Sequence, residues 1–307
     1  MSGLERRVEE YLAIRRALGY KLAGYDSVLR EFTGWMDTSG ATVVTADLAL
    51  AWAQSRPTSP VRERQRLTIV RRFAEYLSAV DPRTEVPAAN LLPAPYHRRA
   101  PYIYSPAEVA ALMAAARSLT QPLKAATYET LIGLIACTGL RVGEAAGLDR
   151  DDVNVTDAIL LVRLGKNGRS RHVPIHATTA DALSAYAARR ERLCPRPAAT
   201  SFFVSTRGGC LAQSSVQYVF AGLRRETGLD QRAQGRLPRL HDLRHGFVVR
   251  TMLAWHRDGV DVQARLPMLS TYVGHIDPKA SYWYQQAVPE LLALAALRVE
   301  VGLGDRS

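Results

Sequence analysis

The sequence is poor in lysine, in cysteine and in long apolar runs, and each scarcity excludes something. Only four of its 40 basic residues are lysines, so arginine carries nearly all of the positive charge. Its longest apolar stretches, such as residues 131–136, are far shorter than the roughly 18 residues that a membrane span needs. The three cysteines, Cys137, Cys194 and Cys210, show no pairing in their spacing, so we expect small buried side chains in a reducing compartment. No basic-then-apolar leader is present at the N-terminus, and we expect a cytoplasmic protein.

The composition indicates a folded protein with a polyanionic partner. The 307 residues are 47% hydrophobic and 22% charged, which excludes disorder over most of the chain, and the length favours two domains. Forty basic residues against 29 acidic ones give a formal charge of +11. Guanidinium groups match phosphate oxygens two at a time, so nucleic acid is the leading partner, although GC-rich coding also favours arginine over lysine. A DNA partner places the protein at the nucleoid.

A proline-rich segment divides the chain. Pro93, Pro95 and Pro101 disfavour a continuous helix, and Arg98 and Arg99 make the same segment basic. We therefore predict a helical domain over residues 1–88, a basic linker over 89–103 and a second domain over 104–307. Arg98 and Arg99 are candidate DNA contacts.

The first domain is predicted to be entirely helical. Apolar residues at helical spacing predict helices over residues 4–18, 27–36, 45–54 and 60–77. The last of these combines an apolar stripe with five arginines, which fits contact with a phosphate backbone or a solvated helix face. These candidate DNA-binding residues are Arg62, Arg64, Arg66, Arg71 and Arg72.

The second domain is predicted to be mainly α with one small antiparallel β-sheet. Ser105 and Glu108 have the spacing of a capping box before a helix ending near Ser118, and Pro122 begins another that runs to Cys137. Alternation predicts two strands, Ile159–Leu164 and His172–Ile175, joined as a hairpin by a turn that contains Lys166. Helical patterns return over residues 178–193, 214–226, 241–256, 278–286 and 289–300.

Three segments carry residues suited to anion chemistry. Thr138-Gly139 ends one helix, and Arg141 lies in the first turn of the next, with Glu144 on the same face. His241 and Arg244 share a helix face further on. Gly274-His275 is followed nine residues later by Tyr284.

His241 and His245 have the i, i+4 spacing of a zinc site, but other interpretations compete with it. The residue after His241 is Asp242 rather than the glutamate of H-E-x-x-H, and no third ligand is evident nearby. His245 is alternatively a packed or hydrogen-bonded core histidine. We expect no metal and no cofactor.

Taken together, the order T-G-x-R-x-x-E, hairpin lysine, H-x-L-R, G-H and tyrosine resembles the tyrosine recombinase (phage-integrase-type) family over residues 104–290. The resemblance implies a helical, SAM-like core-binding domain followed by a catalytic domain. It also implies a catalytic set, with Glu144 in a supporting position: Arg141, Lys166, His241, Arg244, His275 and Tyr284. Tyr282 competes with Tyr284 as the nucleophile. Side chains two positions apart on a helix point about 200° from each other, so only one of the two can face the pocket, and the family spacing favours Tyr284.

These residue types suit the family's reaction. Arg141 and Arg244 would stabilise the charge that gathers on the phosphate oxygens, and His241 or His275 would manage the tyrosine proton. Lys166 would protonate the leaving 5′ oxygen while Tyr284 forms a 3′-phosphotyrosyl link. The neighbouring Arg163, Arg169 and Arg171 could hold DNA without doing chemistry, and of these Arg169 and Arg171 are candidate DNA-binding residues.

The resulting prediction is a site-specific recombinase of a mobile element that acts through a Holliday junction. Its partner would be duplex DNA with two half-sites, bound by a dimer and joined in a synaptic tetramer. The apolar residues 291–297 would either cover the protein's own core or, as we prefer, pack on a neighbouring subunit. A type IB topoisomerase-like enzyme and a non-catalytic DNA-binding relative are the alternatives.

The span from Arg244 to Gly274 departs from the family pattern. It is longer than in compact family members and contains Pro267.

Overall fold

The protein is described from a computed structural model. It describes residues 3–20, 22, 24–93, 101–163, 170–232 and 237–274. The chain divides into two compact units, Met1–Arg99 and Ala100–Ser307. Each unit has a hydrophobic core of its own.

The described part of the N-terminal unit is helical, as predicted. Its helices are α1 (Gly3–Ala17), α2 (Tyr25–Thr38), α3 (Ala46–Gln54) and α4 (Pro60–Ser78). They pack around large buried side chains, among them Phe32, Trp52 and Phe73. The rings of Phe32 and Trp52 meet edge to face with centroids 5.1 Å apart, a favoured aromatic geometry.

The arginines of α4 do not form one exposed face, which corrects the prediction that all five contact a phosphate backbone. Arg66 is 7% exposed. Its guanidinium lies 4.1 Å from the ring centroid of Trp52 and donates a 3.0 Å hydrogen bond to Glu31. Arg71 is half-buried, and its Nε donates to the carbonyl of Pro87. The exposed arginines of this helix are Arg62, Arg64 and Arg72.

The second unit is built around a central helix. Its helices are α5 (Pro106–Arg117), α6 (Pro122–Thr138), α7 (Val142–Ala146), α8 (Ala177–Leu193), α9 (Gln213–Glu226), α10 (Leu229–Arg232), α11 (Leu240–Arg257) and α12 (Val262–Val273). The capping box that begins α5 is present, because Ser105 Oγ accepts from the Glu108 N–H and Glu108 accepts from the Ser105 N–H. Helix α6 is apolar nearly all round, and it packs against α5, α8 and α11.

A three-stranded antiparallel sheet flanks these helices. Its order is β1 (Val153–Asn154), β2 (Ile159–Val162) and β3 (Arg171–Pro174), and Val162 pairs with Arg171 across β2 and β3. The prediction of a small antiparallel sheet is confirmed, but β1 was not predicted, because two residues are too short for an alternation signal. The predicted hairpin tip at Lys166 lies outside the described residues.

Helix α12 was not predicted, because Pro267 lies inside it. Its N-terminus is capped by Asp261, whose side chain accepts from the N–H groups of Gln263 and Ala264. An interior proline costs about 3 kcal/mol, and burial of the helix's apolar face against α11 offsets that cost. The predicted helices over residues 278–286 and 289–300 lie outside the described residues.

The cysteines differ from the expectation of buried side chains. All three are free; Cys137 and Cys210 are exposed and Cys194 is half-buried. Cysteine is a small residue that a helix end or a turn tolerates at the surface, so composition alone misplaced them.

In the described ranges, no helix combines the length and the apolar character that crossing a membrane requires.

Candidate active site

The junction between α6 and α7 is a sharp turn built around Gly139. Its φ of 64° is left-handed, and a Cβ there would lie 2.5 Å from Cδ1 of Phe247, so glycine is required. The predicted helix break at Thr138-Gly139 is thereby confirmed. Arg141 follows as the N-cap of α7, one position before the first turn in which it was expected.

Arg141 and Glu144 form a part-buried ion pair rather than a surface pair. Arg141 Nη1 donates to Glu144 Oε1 at 2.7 Å, and the Arg141 N–H donates to Oε2 at 3.1 Å. The side chain of Glu144 is only 7% exposed and that of Arg141 is 23% exposed. Water and salt screen such a pair less than an exposed one. The pair therefore fixes the direction of the Arg141 guanidinium.

Arg171 binds the other side of the same carboxylate. Its Nη1 and Nη2 donate to the two oxygens of Glu144 at 3.2 and 2.9 Å. The Arg171 side chain is 13% exposed, and Glu144 and backbone carbonyls engage four of its five N–H groups, so the structure places it as an internal partner of this carboxylate and not as the predicted DNA contact. Its guanidinium faces the protein interior, where Glu144 and backbone carbonyls use its donors.

The C-terminal end of α12 completes this cluster. Arg171 donates to the carbonyls of Tyr272 (2.8 Å) and Val273 (3.3 Å), and Arg141 Nη2 donates to that of Gly274 (2.7 Å). Gly274 has a left-handed φ of 73°, and a Cβ there would lie 2.8 Å from Arg171 Nη1. Gly274 therefore permits the close approach of both arginines, and His275 is bonded directly to it.

Glu144 is ionised in this setting. Burial raises the pKa of Glu144, but the hydrogen bonds and charge of Arg171, followed by those of Arg141, outweigh burial and lower it to about 2. One negative charge therefore faces two guanidinium groups at neutral pH.

Helix α11 brings His241 and Arg244 to the junction. The helix begins where Asp242 accepts from the Arg239 N–H at 2.8 Å. Arg244 is 1% exposed, and its Nη1 donates to the Gly139 carbonyl at 2.6 Å. Arg141 and Arg244, which are 103 residues apart in sequence, are thus both attached to the α6–α7 turn.

His241 is neutral in the free protein. Burial, followed by the positive charge of Arg244 and by smaller contributions from Arg239 and Arg141, outweighs the opposing charge of Asp242 and lowers the pKa of His241 to about 4. Its ring meets that of His245 edge to face with centroids 4.8 Å apart, and His245 is itself buried. This packing favours the core-histidine interpretation of His245. No cluster of three or more His, Cys, Asp or Glu residues suited to a metal occurs in the described part of the chain.

The arrangement can bind an oxyanion. Glu144 balances only one of the two guanidinium groups that it contacts, and Arg244 adds a further positive charge at the same turn. Positive groups that are fixed before a ligand arrives stabilise charge without reorganising. The neutral imidazole of His241 can also accept a proton.

The structure brings together four of the predicted site residues: Arg141, Glu144, His241 and Arg244. Seven other predicted site residues fall outside the described residues: Arg98, Arg99, Lys166, Arg169, His275, Tyr282 and Tyr284.

Arg171 is the site residue whose place the sequence analysis missed. A signal for it was available in the two-residue alternation of β3. Val173 is fully buried, and Arg171 lies on the same face of the strand. An arginine on the buried face of a strand requires internal partners.

Comparison with known proteins agrees with this geometry. Residues 104–289 match the model of the phage integrase family. Two proteins of Sinorhizobium fredii with integrase/recombinase names are similar throughout. One is 38% identical over all of both chains, and the other is 39% identical over 96% of this chain and 95% of its own.

Solved structures share the fold. The XerH site-specific recombinase bound to a palindromic DNA substrate is 18% identical, with a TM-score of 0.64 over 89% of this chain and 78% of that one. The lambda integrase tetramer bound to a Holliday junction is also 18% identical, with a TM-score of 0.64 over 92% and 76%.

Proposed function

The chain belongs to the phage integrase family, whose members are tyrosine recombinases, and from this premise we propose the reaction that it performs. It is a site-specific recombinase that cleaves and rejoins DNA through a covalent 3′-phosphotyrosyl intermediate and a Holliday junction, in the service of a mobile element. The integrase/recombinase names of its full-length relatives support the mobile-element role.

One observation carries the catalytic assignment. Two arginines distant in sequence, Arg141 and Arg244, are fixed at one turn, and a buried ionised Glu144 orients the first. Among the described residues, Glu144 and Gly274 accept from two of the five N–H groups of the Arg141 guanidinium, which leaves donors for a scissile phosphate. In this role the two arginines bind the non-bridging oxygens and stabilise their growing charge.

The remaining steps follow from the residue types. The Tyr284 hydroxyl attacks phosphorus as neutral His241 or His275 takes its proton. The bond from phosphorus to the 5′ oxygen breaks, and Lys166 protonates that oxygen. The phosphotyrosyl bond retains the energy of the broken one, so a second DNA end is joined by the reverse reaction with no cofactor.

The rest of the chain would hold and assemble the DNA. The domain over residues 1–88, the linker over 89–103 and the catalytic domain over 104–307 all bind the duplex, in the cytoplasm at the nucleoid. Exposed Arg62, Arg64 and Arg72 contact phosphates, with Arg98, Arg99 and Arg169. Each duplex has two half-sites for a dimer, and two duplexes form a synaptic tetramer in which the apolar residues 291–297 pack on a neighbour.

The test begins by finding the target. The full-length protein selects its site from a randomised duplex library, and the selected site is rebuilt with a nick beside each candidate cleavage position. Cleavage then releases a short fragment and traps the covalent complex, which denaturing electrophoresis detects. We expect an adduct with the native protein and with Tyr282→Phe, and none with Tyr284→Phe.

Other outcomes would overturn the proposal. An adduct with Tyr284→Phe that is lost in Tyr282→Phe reverses the nucleophile assignment. Relaxation of supercoiled plasmid without the selected site, and without recombinants, identifies a type IB topoisomerase-like enzyme. Tight binding to the site with no adduct identifies a DNA-binding relative that does not cleave.

A further inference from the structure

Three consecutive carbonyls at the end of α12 accept hydrogen bonds from two arginines. Those of Tyr272 and Val273 accept from Arg171, and that of Gly274 accepts from Arg141. The last carbonyls of a helix have no partner within the helix, and cations are favoured there. The two arginines therefore cap α12 at the point where the chain continues to His275.

The same two arginines share Glu144, so the contacts form a closed network. Arg171 joins β3 to Glu144 in α7 and to the end of α12, and Arg141 joins the start of α7 to that same end. Four of the five N–H groups of Arg171 are used in these bonds. A guanidinium engaged in this way holds its neighbours and does not bind substrate.

We propose that Arg171 is a positioning residue of the strand-cleavage reaction: it holds Glu144 and the end of α12 so that Arg141 stays aligned on the scissile phosphate. This inference rests on the proposed function, because its consequence is a rate of DNA cleavage. Through Arg171 and Glu144, β3 is connected to Arg141, the arginine that is proposed to bind the phosphate.

The test separates positioning from DNA contact and from stability. Arg171→Lys and Arg171→Ala are compared with His172→Ala. His172 is the next residue of β3, but its side chain is exposed and lies on the opposite face of the strand from Arg171. For each variant we would measure the affinity for the selected duplex, the single-turnover cleavage rate at saturating DNA, and the thermal unfolding midpoint.

We expect Arg171→Lys to fold and to bind DNA within about threefold of the native protein, but to cleave about 10- to 100-fold more slowly. An ammonium cannot replace a guanidinium that binds a carboxylate with two nitrogens and two carbonyls at once, and small misplacements of reacting groups cost up to about 100-fold in rate. His172→Ala should leave both the affinity and the saturated cleavage rate unchanged.

Gly274→Ala approaches the same contact from the other side, because the added Cβ would displace Arg171. It should reproduce the slow cleavage of Arg171→Lys, and combining the two should slow cleavage little further. A native cleavage rate in Arg171→Lys, or a loss of affinity with an unchanged saturated rate, would overturn the inference. If the native protein itself forms no covalent adduct, the proposed function fails and not merely the role of Arg171.

Discussion

Two arginine–glutamate clusters, one in each unit of the molecule, use the same residue types in different ways. In the N-terminal unit, Glu31 binds Arg66 at 3.0 Å and the exposed Arg56 at 3.4 Å. In the second unit, Glu144 binds Arg141 and Arg171 at 2.7 and 2.9 Å. Both have two arginines to one carboxylate, so the ratio of charges does not distinguish them.

They differ in what else the arginines hold. Arg66 lies on the face of Trp52, within the core of its own helices. Arg141 and Arg171 bind carbonyls more than 100 residues away in sequence, and the side chain of Glu144 is 7% exposed against 34% for Glu31. Arg66 therefore fills space within the core of its own unit. Arg141 and Arg171, by contrast, hold separate segments of the second unit together around Glu144.

The strongest test of this difference is to remove one arginine of each kind. Arg244→Ala should lower the single-turnover cleavage rate at saturating DNA by about 10²–10³-fold, the usual cost of losing one preorganised donor to a transition-state oxyanion. Arg66→Ala should lower the unfolding midpoint instead and leave the saturated cleavage rate of the folded protein unchanged. Equal rate losses in the two variants would erase the distinction.

The second test compares the carboxylates through stability. The pKa of Glu144 is about 2 in the folded protein against an ordinary 4.5, so its stabilisation is fully present above about pH 4.5 and is lost as the pH falls towards 2. Glu144→Gln should cost on the order of 2 kcal/mol in urea unfolding at pH 7, and the difference from the native protein should shrink below pH 4.5. Glu31→Gln should cost less, because Glu31 is more exposed. A difference for Glu144→Gln that stays constant from pH 7 to pH 3 would contradict the assignment.

A smaller effect should test the positive charge of Arg141, Arg171 and Arg244 that Glu144 does not balance. The pKa of His241 is lowered to about 4 by burial, by Arg244 and, to a smaller extent, by Arg239 and Arg141. The folded protein should therefore lose stability as the pH falls from about 6.5 towards 4, because the unfolded chain binds a proton first. A phosphate analogue such as vanadate, bound between the arginines, should raise the pKa of His241 by about one unit. Histidine NMR with His241→Gln for assignment measures this, and the exposed His172 controls for added salt. An unchanged pKa on saturation would place the anion elsewhere.

The sequence predicted some helices and site residues correctly and missed others, for physical reasons. The ends of α5 and α6 were predicted to within one residue because their signals are local: a proline at the first position of each, a capping box before α5 and Gly139 after α6. Helix α12 was missed because its proline is compensated by packing against α11, which no local pattern reveals. Motif order brought Arg141 and Arg244 together, but Arg66 and Arg171 were assigned to DNA because charge alone does not show which guanidinium groups are engaged by internal partners.

The smallest effect tests that last distinction directly. Exposed arginines that contact phosphates release counterions on binding, so Arg62→Gln, Arg64→Gln and Arg72→Gln should each reduce the slope of log affinity against log salt by about one. Each change should weaken binding severalfold at low salt and leave the unfolding midpoint nearly unchanged. Arg66→Gln is the matched control on the same helix: the charge lost is equal, but the guanidinium is buried against Trp52 and paired with Glu31, so the salt slope should stay at the native value while the unfolding midpoint falls. If Arg66→Gln instead reduced the slope of log affinity against log salt and kept the native unfolding midpoint, Arg66 would contact DNA rather than pack in the core. The contrast between the two clusters would then no longer hold.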